Sequence, residues 1–271
     1  MRYLSDCRIL SNAEVAPGQF RMRVRAQEIA SAAQPGQFVM TLVSEGLHPF
    51  LRRPLCFERI HPDDGVVSLL YKIEGEGTRL LSRHAPGQTV SLQGPLGNGF
   101  PIDTTFQRHI IVAGGIGVAC FPALTEAIAR KTGAPPEVIL AARTRSLLLC
   151  EEDFRDMGCT LHIATDDGSA GEKAYAAQAL ERLSPGPDAR VYACGPMIMM
   201  QTVANVAAAA GANCLVSLEA QMACGDGACL GCVVESTREI DGERMVRVCL
   251  DGPVFDAALI DWEKHNFAYD L

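Results

Sequence analysis

The sequence lacks long apolar runs and an excess of basic residues. No stretch of about 18 apolar residues occurs, which argues against a membrane-spanning helix. Its 24 Lys and Arg are outnumbered by 32 Asp and Glu, for a formal net charge of -8. Since binding to phosphate backbones needs clustered basic residues, we expect no nucleic-acid partner. The opening MRYLSDCRILSNAEV lacks a basic region followed by an apolar run, so we expect no signal peptide and a cytoplasmic location.

Cysteine, in contrast, is abundant, with 11 residues. Stable disulfides are rare in the cytoplasm, so a dense group of cysteines there indicates metal or redox chemistry. MACGDGACLGCVV has the spacing C-x4-C-x2-C, and a further cysteine follows in RVCLDGPVF. This is the plant-type ferredoxin spacing for a [2Fe–2S] cluster, and the small residues let backbone amides approach the sulfurs. The predicted cluster ligands are Cys224, Cys229, Cys232 and Cys249.

A structural zinc site is the main alternative for these cysteines. Such sites usually use paired C-x2-C motifs or Cys with His, so the four-residue gap and the distant last cysteine fit zinc less well. Inert buried thiols are a weaker alternative. The remaining cysteines are scattered, and for most of them we expect the role of a small buried apolar side chain.

Three stretches of different texture predict a multidomain fold. The first has short strand-like runs such as GVVSLLYKI between turn residues, which predicts an antiparallel β-barrel with one short helix near 76–85. The second alternates apolar strands such as RHIIVAGG with helical runs, which predicts a parallel α/β sheet. The third is rich in cysteine and has short strands. The predicted domains are the barrel at 1–101, the α/β domain at 102–212 and a small [2Fe–2S] domain at 213–271.

Three loops of the α/β region are candidates for a dinucleotide site. They are IIVAGGIGVACFP, ATDDGSAG and ACGPMIMM, and each follows a predicted strand. Ligands of open α/β sheets bind at the carboxyl ends of the strands, so the loops should lie at one edge. A glycine-rich turn is equally often a packing feature, but three such loops at one edge favour a ligand. The candidate residues are Gly114, Gly115, Gly117, Asp167, Gly168, Cys194, Gly195 and Pro196.

Two segments of the barrel region could bind phosphate or flavin. FLRRPLCF places two arginines before a proline in apolar surroundings, either as a solvated charge pair or as an arginine fork for an anion. YKIEGEGTRLL places Gly77 and Thr78 at the start of a helix, where backbone amides and a hydroxyl could meet an anion. The order of all these motifs along the chain is more informative than any one of them.

In that order the motifs resemble the ferredoxin-reductase superfamily, in which a flavin barrel precedes a nicotinamide domain. LRRPLCF, GEGT, GPLGNGF, AGGIGVA, TDDGSAG, ACGPM, MACGDGACLGCVV and VCLDGPVF are similar to motifs of the electron-transfer subunits of NAD-dependent (type B) dihydroorotate dehydrogenases. The similarity spans nearly the whole chain. It implies FAD on the barrel, NAD(H) on the α/β domain and a [2Fe–2S] cluster. It also implies a partner, an FMN-containing dihydroorotate dehydrogenase catalytic subunit of pyrimidine biosynthesis, in a heterotetramer with two copies of each chain.

The resemblance also assigns residues to the flavin and places Cys194 near the nicotinamide. The implied flavin-binding residues are Arg53, Pro54, Leu55 and Cys56, then Leu70, Tyr71 and Lys72, and then Gly77 and Thr78. The chain departs from the family pattern at three places. Cys56 replaces a Ser or Thr, Leu250 replaces a basic residue after the last cluster cysteine, and Cys120 and Phe121 precede the proline that usually begins the helix after GGIGVA.

The implied chemistry is the conversion of single electrons into hydrides. A cluster exchanges single electrons and a nicotinamide exchanges hydrides, so a flavin is needed between them. No general acid or base is required at the hydride step, and we assign no catalytic side chain. Arg143 and Arg145 follow the second α/β strand, where arginines can read a 2′-phosphate or lie in solvent, so NAD and NADP both remain open.

Two alternative functions fit the same motifs. One is a flavin and iron–sulfur subunit of a ferredoxin:NADP⁺ transhydrogenase or of a sulfide or sulfite reductase system. Relatives of that kind can replace the first cluster cysteine by an acid, whereas Cys224 is present here. The other is a non-catalytic redox sensor that keeps the fold and the cluster, although the intact GEGT, GGIG and CGPM motifs favour retained cofactor sites.

Overall fold

A computed structural model describes residues 2–240 and 242–264, except for the side chain of Ile240. The predicted third domain, 213–271, therefore includes positions outside the described residues. The first part of the chain forms a closed six-stranded barrel in the order β1-β2-β5-β4-β3-β6, with every neighbouring pair antiparallel. Its strands are β1 (Tyr3–Ala16), β2 (Gln19–Arg25), β3 (Phe38–Thr41), β4 (Arg53–His61), β5 (Val66–Lys72) and β6 (Thr89–Leu96).

Two short helices accompany the barrel, α1 (Gln27–Ala32) and α2 (Glu76–Leu81). Alternation along β3 shows how the barrel is filled. Val39 belongs to the barrel core, whereas its neighbours Phe38 and Met40 belong to a second core outside the barrel, shared with the C-terminal region. Successive side chains of a strand point to opposite faces, so β3 packs on both sides.

The middle of the chain forms a parallel sheet in the order β10-β9-β8-β7-β11-β12. Central strands such as β7 are buried along nearly their whole length, as expected when helices cover both faces of a parallel sheet. The strands are β7 (Arg108–Gly114), β8 (Glu137–Ala142), β9 (Thr160–Thr165), β10 (Glu172–Lys173), β11 (Ala189–Cys194) and β12 (Asn213–Ser217). The helices are α3 (Phe121–Thr132), α4 (Glu151–Asp156), α5 (Ala176–Leu183) and α6 (Met197–Ala209).

The C-terminal region leaves this sheet and returns to it. After β12 come the cysteine loop and a hairpin of β13 (Val233–Ile240) and β14 (Glu243–Arg247), and then β15 (Val254–Asp256) pairs antiparallel with β12. The α/β sheet thus has seven strands. The sequence placed a domain boundary at 212, but by hydrogen bonding β12 and β15 both belong to the sheet, so that limit falls inside it.

Ion pairs join the barrel to the α/β domain. Arg21 of β2 contacts the carboxylates of Glu58 and Asp153, each at 2.7 Å, and Arg59 of β4 pairs with Asp153 at 2.8 Å and with Glu126. The Glu58 side chain is fully buried. The sulfur of Cys150 lies 3.8 Å from the Arg21 guanidinium. The positive charge beside the group of Glu58, Cys150 and Asp153 is therefore that of Arg21. In the part of the chain that the structure describes, no helix is long and apolar enough to cross a bilayer.

Candidate functional site

Two of the predicted loops meet where the strand order of the sheet reverses, between β7 and β11. A Cβ on Gly117 would lie 2.6 Å from the carbonyl atoms of Cys194 and from the amide nitrogen of Gly195. A Cβ on Gly195 would lie 2.9 Å from the Cα of Gly114. These glycines therefore allow the two loops to pack in direct contact. The crevice beside such a reversal is where open α/β sheets bind their ligands.

Gly115 is the glycine of the first loop whose backbone faces open space. It has φ +54, and no atom lies within 4 Å of the position of a Cβ. A ligand phosphate can therefore approach the backbone at Gly115, whereas the space beside Gly114 and Gly117 is filled by the packing of the loops. A 3-10 turn, Gly115–Cys120, precedes α3, which begins at Phe121 with Pro122 in its first turn. Of the two extra residues before the proline, Cys120 therefore ends this turn and Phe121 begins the helix.

The loops after β8 and β9 are tied to each other at the same edge. The backbone amide of Asp167 donates to the carbonyl of Arg143 at 3.3 Å, and that of Arg145 donates to the Ser169 hydroxyl at 2.8 Å. Hydrogen bonds from the hydroxyl and backbone amide of Ser169 lower the pKa of Asp167, so its carboxylate caps its own loop. Gly168 has φ +78, which glycine adopts at little cost. All the predicted α/β loops therefore lie at one edge of the sheet.

The first and third flavin segments come together around Arg53. A Cβ on Gly77 would lie 2.8–2.9 Å from atoms of the Arg53 guanidinium, so the arginine lies directly over the start of α2. The Thr78 hydroxyl accepts from the amides of Glu74 and Gly75 and closes the helix start, and its contact with an anion stays a prediction. The helix itself ends at Leu81 rather than near residue 85. An anion at this place would meet Arg53 and the backbone beside Gly77.

In the second flavin segment, the side chain of Leu70 packs towards the α/β domain. Leu70 packs in the core that the barrel shares with that domain. The ring of Tyr71 lies in the barrel core, stacks on Phe20 and donates to Asn12 at 2.9 Å, while Lys72 pairs with Glu74. A flavin contact from Tyr71 would therefore come from its backbone rather than from its side chain.

Three thiols and a carboxyl group meet between the barrel and the α/β domain. Burial raises the pKa of Cys56 and of Cys120, and the nearby Cys194 raises both further. Glu219, two residues after β12, acts on the same thiols through its charge. Desolvation raises the pKa of Glu219, and the charge of Glu74 adds to it. The Glu219 residue is nevertheless exposed to solvent.

Glu219 is the residue of this cleft that the sequence analysis missed. Its position offered a signal, because it follows the last parallel strand, in SLEAQMAC, at the edge where such sheets bind ligands. Cys56 and Cys194, in contrast, were both predicted near the reacting groups. The structure brings them together although they are far apart in sequence and belong to different domains.

The predicted cluster ligands form two pairs of thiols. Cys224 donates hydrogen bonds to the Cys229 sulfur, the Cys249 thiol donates to the Cys232 sulfur, and the charge of Cys224 also acts on Cys249. A mononuclear zinc site would bring four sulfurs to about 3.8 Å from one another, given Zn–S bonds of about 2.3 Å. No three of these sulfurs lie within 4.8 Å of one another. Two pairs suit two irons with two protein ligands each, which fits a [2Fe–2S] cluster better than zinc.

Backbone amides surround these sulfurs. The Gly231 amide donates to the Cys229 sulfur and the Cys249 amide donates to the Cys232 sulfur, each at 3.4 Å. The Gly231 amide, with donors from Cys224, lowers the pKa of Cys229 to about 7. Burial, together with Cys232, raises the pKa of Cys249. A buried thiolate at Cys249 is therefore favourable only when a metal neutralises its charge, as metal-ligating cysteines require.

The GPLGNGF motif holds the far end of the cysteine loop. The Asn98 side chain donates to the carbonyls of Leu250 and Asp251 at 3.1 and 3.0 Å, and its amide donates to the Gly252 carbonyl. A Cβ on Gly227 would lie 2.7 Å from a methyl carbon of Leu250. Leu250, which replaces the family's basic residue, therefore packs apolar surface under the loop. The motif thus attaches the barrel to the segment that carries Cys249.

Comparisons with known proteins agree with this site. Residues 219–261 match the family model described as the iron-sulfur cluster binding domain of dihydroorotate dehydrogenase B, and residues 111–205 match an oxidoreductase NAD-binding domain. The electron transfer subunit of dihydroorotate dehydrogenase B (NAD(+)) from Desulforamulus reducens is 37% identical over 97% of this chain and 100% of its own length. The corresponding subunit from Fusobacterium nucleatum is 32% identical over 96% and 99%.

One solved structure matches nearly the whole chain, and another shares the fold over 77% of it. An NADH-dependent reduced ferredoxin-NADP oxidoreductase matches with a TM-score of 0.84 and 28% identity over 96% of this chain and 91% of its own. A ferredoxin NADP⁺ reductase from Neisseria gonorrhoeae, with bound FAD and NADP, shares the fold at a TM-score of 0.65 and 16% identity, over 77% of this chain and 93% of its own. The barrel, the parallel sheet and the cysteine region are therefore those of the ferredoxin-reductase fold. By its identity over nearly full length, this chain belongs to the family of electron transfer subunits of dihydroorotate dehydrogenase B (NAD(+)).

Proposed function

We propose that this chain carries electrons from a catalytic partner subunit, which holds FMN and oxidises dihydroorotate to orotate, through a [2Fe–2S] cluster and FAD to NAD⁺. One observation carries the proposal: the flavin segment of β4 lies between the other two sites. Cys56 lies beside Cys194 at the dinucleotide crevice. Pro54 pairs across strands with Met40, which packs on Gly225 of the cysteine loop. These contacts support a flavin position between a nicotinamide position and a cluster position.

The described side chains fit the three groups. Arg53 over Gly77 offers charge and backbone amides to the FAD phosphates, and the outer face of Pro54 and Cys56 offers the surface for the ring system. Gly115 offers open backbone to the NAD(H) pyrophosphate. The flanking loop residues, Asp167 and Gly168, with Gly195 and Pro196, shape the same crevice. The amide donors of the cysteine loop fit the charge on cluster sulfurs.

FAD, when bound, would supply the exchange of one hydride with nicotinamide and of single electrons with iron–sulfur centres. The chain's own residues then orient the bound groups and enclose the space between them. Gly117 and Gly195 hold the two crevice loops in contact, and burial raises the pKa of the Cys56 and Cys120 thiols, so these two thiols stay neutral. Glu219 holds a proton on its carboxyl group to a higher pH than an ordinary glutamate. It can therefore supply or accept a proton at the cleft.

The family name of the relatives implies a catalytic partner subunit for this chain as well. We propose a heterotetramer with two copies of each chain in the cytoplasm. The cysteine loop supports this choice of interface, since Cys229 is exposed and Leu230, beside it, is 59% exposed. Single electrons enter a cluster over short distances, so a partner must approach this loop. Co-purification of the two chains and the mass of the complex test the stoichiometry.

An anaerobic visible spectrum of the purified chain, before and after NADH and then NADPH, tests the proposed electron path. We expect flavin and iron–sulfur bands, both bleached by NADH. The Cys249→Ser variant should keep the flavin and its bleaching by NADH but lose the iron–sulfur bands, whereas Cys214→Ser, at a cysteine of β12 away from the loop, should keep both. A wild-type protein without flavin would favour the redox-sensor function instead. Bleaching by NADPH alone would assign Arg143 and Arg145 to a 2′-phosphate.

A second candidate function rests on the likeness to the NADH-dependent reduced ferredoxin-NADP oxidoreductase, at 28% identity. In that case reduced ferredoxin, rather than a dihydroorotate-oxidising subunit, would exchange electrons with this chain. The co-purified complex distinguishes the two. Reduction of NAD⁺ by dihydroorotate supports our proposal, and reduction only by reduced ferredoxin supports the alternative.

A further inference from the structure

The seam between the barrel and the cysteine loop contains one side chain that touches both redox segments. Met40 is fully buried in β3, and a Cβ on Gly225 would lie 2.4 Å from its Cγ and 3.0 Å from its sulfur. Gly225 has φ +75 and follows the cluster ligand Cys224 directly. The loop backbone therefore lies directly against the Met40 thioether, at a position where both the backbone conformation and the space require glycine.

The same methionine lies beside the flavin segment. In the β3–β4 ladder Met40 pairs with Pro54, and Phe38 pairs with Cys56. Side chains of directly paired residues project to the same face of a sheet, about 4.5–5.5 Å apart at Cβ. Val39, between them, faces the barrel core instead. Phe38 and Met40 thus share the outer face of the barrel with Pro54 and Cys56, the face that the proposed flavin would cover.

Phe38 and Met40 also belong to the same hydrophobic core as two of the predicted iron–sulfur ligands. That core contains Leu96 of the barrel together with Cys232 and Cys249, and Leu250 packs against it. Interiors packed in this way are dense and leave little room for relaxation. The distance between the cysteine loop and the flavin segment is therefore set by the volume of the side chains in this seam. Both Met40 and Leu96 lie against Gly225, beside Cys224, and Met40 lies closer, at 2.4 Å against 3.2 Å from the Cβ position.

We propose that Met40 is a positioning residue that fixes the spacing between cluster and flavin and so controls the rate of electron transfer between them. This inference rests on the proposed function. In the reverse direction, which is convenient to measure, NADH gives a hydride to the flavin and leaves as NAD⁺. One electron then moves from the reduced flavin to the oxidised cluster, so the flavin is oxidised by one electron and the cluster is reduced by one.

The test is anaerobic stopped-flow mixing of the loaded wild-type protein, Met40→Ala, Met40→Leu and Val39→Ala with NADH, following flavin and cluster bands separately. Met40→Ala should slow cluster reduction about tenfold, since displacements of about 1 Å can change rates by up to about a hundredfold. The NADH-to-flavin step should be unchanged, because the nicotinamide crevice is formed by other loops. Met40→Leu, of similar volume, should stay within about twofold of wild type. Val39→Ala, which truncates the barrel core from the same strand, should leave both steps unchanged.

Two further readouts separate spacing from simple loss of structure. The iron content per chain and the electron paramagnetic resonance spectrum of the dithionite-reduced cluster should be the same in Met40→Ala as in wild type. If Met40→Ala lost the cluster, Met40→Val would replace it in the same comparison. Cluster reduction at the wild-type rate in a fully loaded alanine or valine variant, or a leucine variant as slow as alanine, would overturn the inference. Failure of NADH to reduce the wild-type flavin would instead refute the proposed function.

Discussion

Glu219 illustrates what a single residue adds to this cleft. Its carboxyl group follows the last parallel strand and lies near Cys56 and Cys120, in surroundings that raise its pKa above the ordinary 4.5. Desolvation is the main cause, and the charge of Glu74 adds to it. An acid of this kind keeps its proton where other glutamates have lost theirs, so its protonation state can be read from the pH dependence of stability.

Replacing Glu219 by glutamine should remove one component of that pH dependence. A raised folded-state pKa stabilises the protein at low pH, and this stabilisation is lost as the pH rises through the folded pKa. The free energy of unfolding of wild type, relative to Glu219→Gln, should therefore fall as the pH rises from below 4.5. Urea unfolding at a series of pH values measures this difference.

Glu74→Gln provides the matched control for Glu219. It removes the charge that adds to the raised pKa, so the pH at which the difference develops should move down without disappearing. A constant difference between wild type and Glu219→Gln at all pH values would mean that Glu219 titrates as an ordinary exposed glutamate.

In the cysteine region the sequence alone supports a definite prediction of the ligand residues, because the spacing limits the chemistry. C-x4-C-x2-C with a distant fourth cysteine indicated the cluster ligands, and the structure shows their pairing. The sequence could not show that Thr78 caps its own helix or that the Tyr71 ring lies in the barrel core. Both depend on which way a side chain points, and that is decided by packing rather than by the motif.

At the scale of elements, contact between the β7 and β11 loops explains part of their glycine content. Gly117 is buried against Cys194 and Gly195, so its lack of a side chain allows the two loops to pack together. Gly115 alone in this loop faces open space. A glycine in such a turn can serve close packing or leave backbone open to a ligand, and this loop has one glycine of each kind. The two roles can be separated by substitution.

Gly117→Ala should force the two loops apart. Its Cβ would lie 2.6 Å from backbone atoms of Cys194 and Gly195, and such overpacking costs about 1–3 kcal/mol of stability. Flavin reduction by NADH should slow, since the crevice changes shape, while flavin and iron content should not change. Stopped-flow reduction and thermal unfolding measure the two effects.

Gly46→Ala is the control for the loop substitution. Gly46 is exposed and its Cβ would lie 3.9 Å from the amide nitrogen of His48, so stability should change by no more than about 0.5 kcal/mol. If Gly117→Ala behaved like Gly46→Ala in both measurements, the two loops would have to be less tightly packed than the contacts indicate.

Across the whole molecule, ion pairs between distant segments hold the barrel on the α/β domain. Arg21 and Asp153 are separated by 132 positions, yet they join at 2.7 Å. Burial raises the pKa of Glu58, and Arg21 opposes this by hydrogen bonding and charge. Asp153 is also partly desolvated, but its bonds to Arg21 and Arg59 outweigh this and lower its pKa. The interface therefore depends on Arg21 to compensate a buried carboxylate.

Arg21→Met should destabilise the protein by about 3–5 kcal/mol, because it leaves Glu58 buried without its cation. The double variant Arg21→Met/Glu58→Leu should regain much of this loss, since both charges are then removed. Arg108→Met, which breaks a partly exposed pair with Glu137 inside the α/β domain, should cost about 0–1 kcal/mol. Urea unfolding followed by two probes measures all three, and an equal cost for both arginines would contradict a special role of the interface.

The order of barrel, parallel sheet and cysteine region was predictable because strand and helix periodicities change along the chain. The docking between these parts was not. Pairs such as Arg21 with Asp153, or Asn98 with the carbonyls that follow Cys249, join residues far apart in sequence, where local pattern holds no information. For the same reason β15 was not expected to pair with β12, and the predicted boundary at 212 fell within a sheet.

That pairing has a consequence for how the protein works with a partner. Because β12 and β15 are adjacent, the iron–sulfur segment departs from the α/β layer and rejoins it at neighbouring points, like an enlarged hairpin connection. Both of its ends are anchored to one rigid edge, and Asn98 anchors it a third time. Such a segment cannot swing out on a tether to collect electrons and carry them back. Its position on the molecule is fixed, so an electron donor has to approach it there.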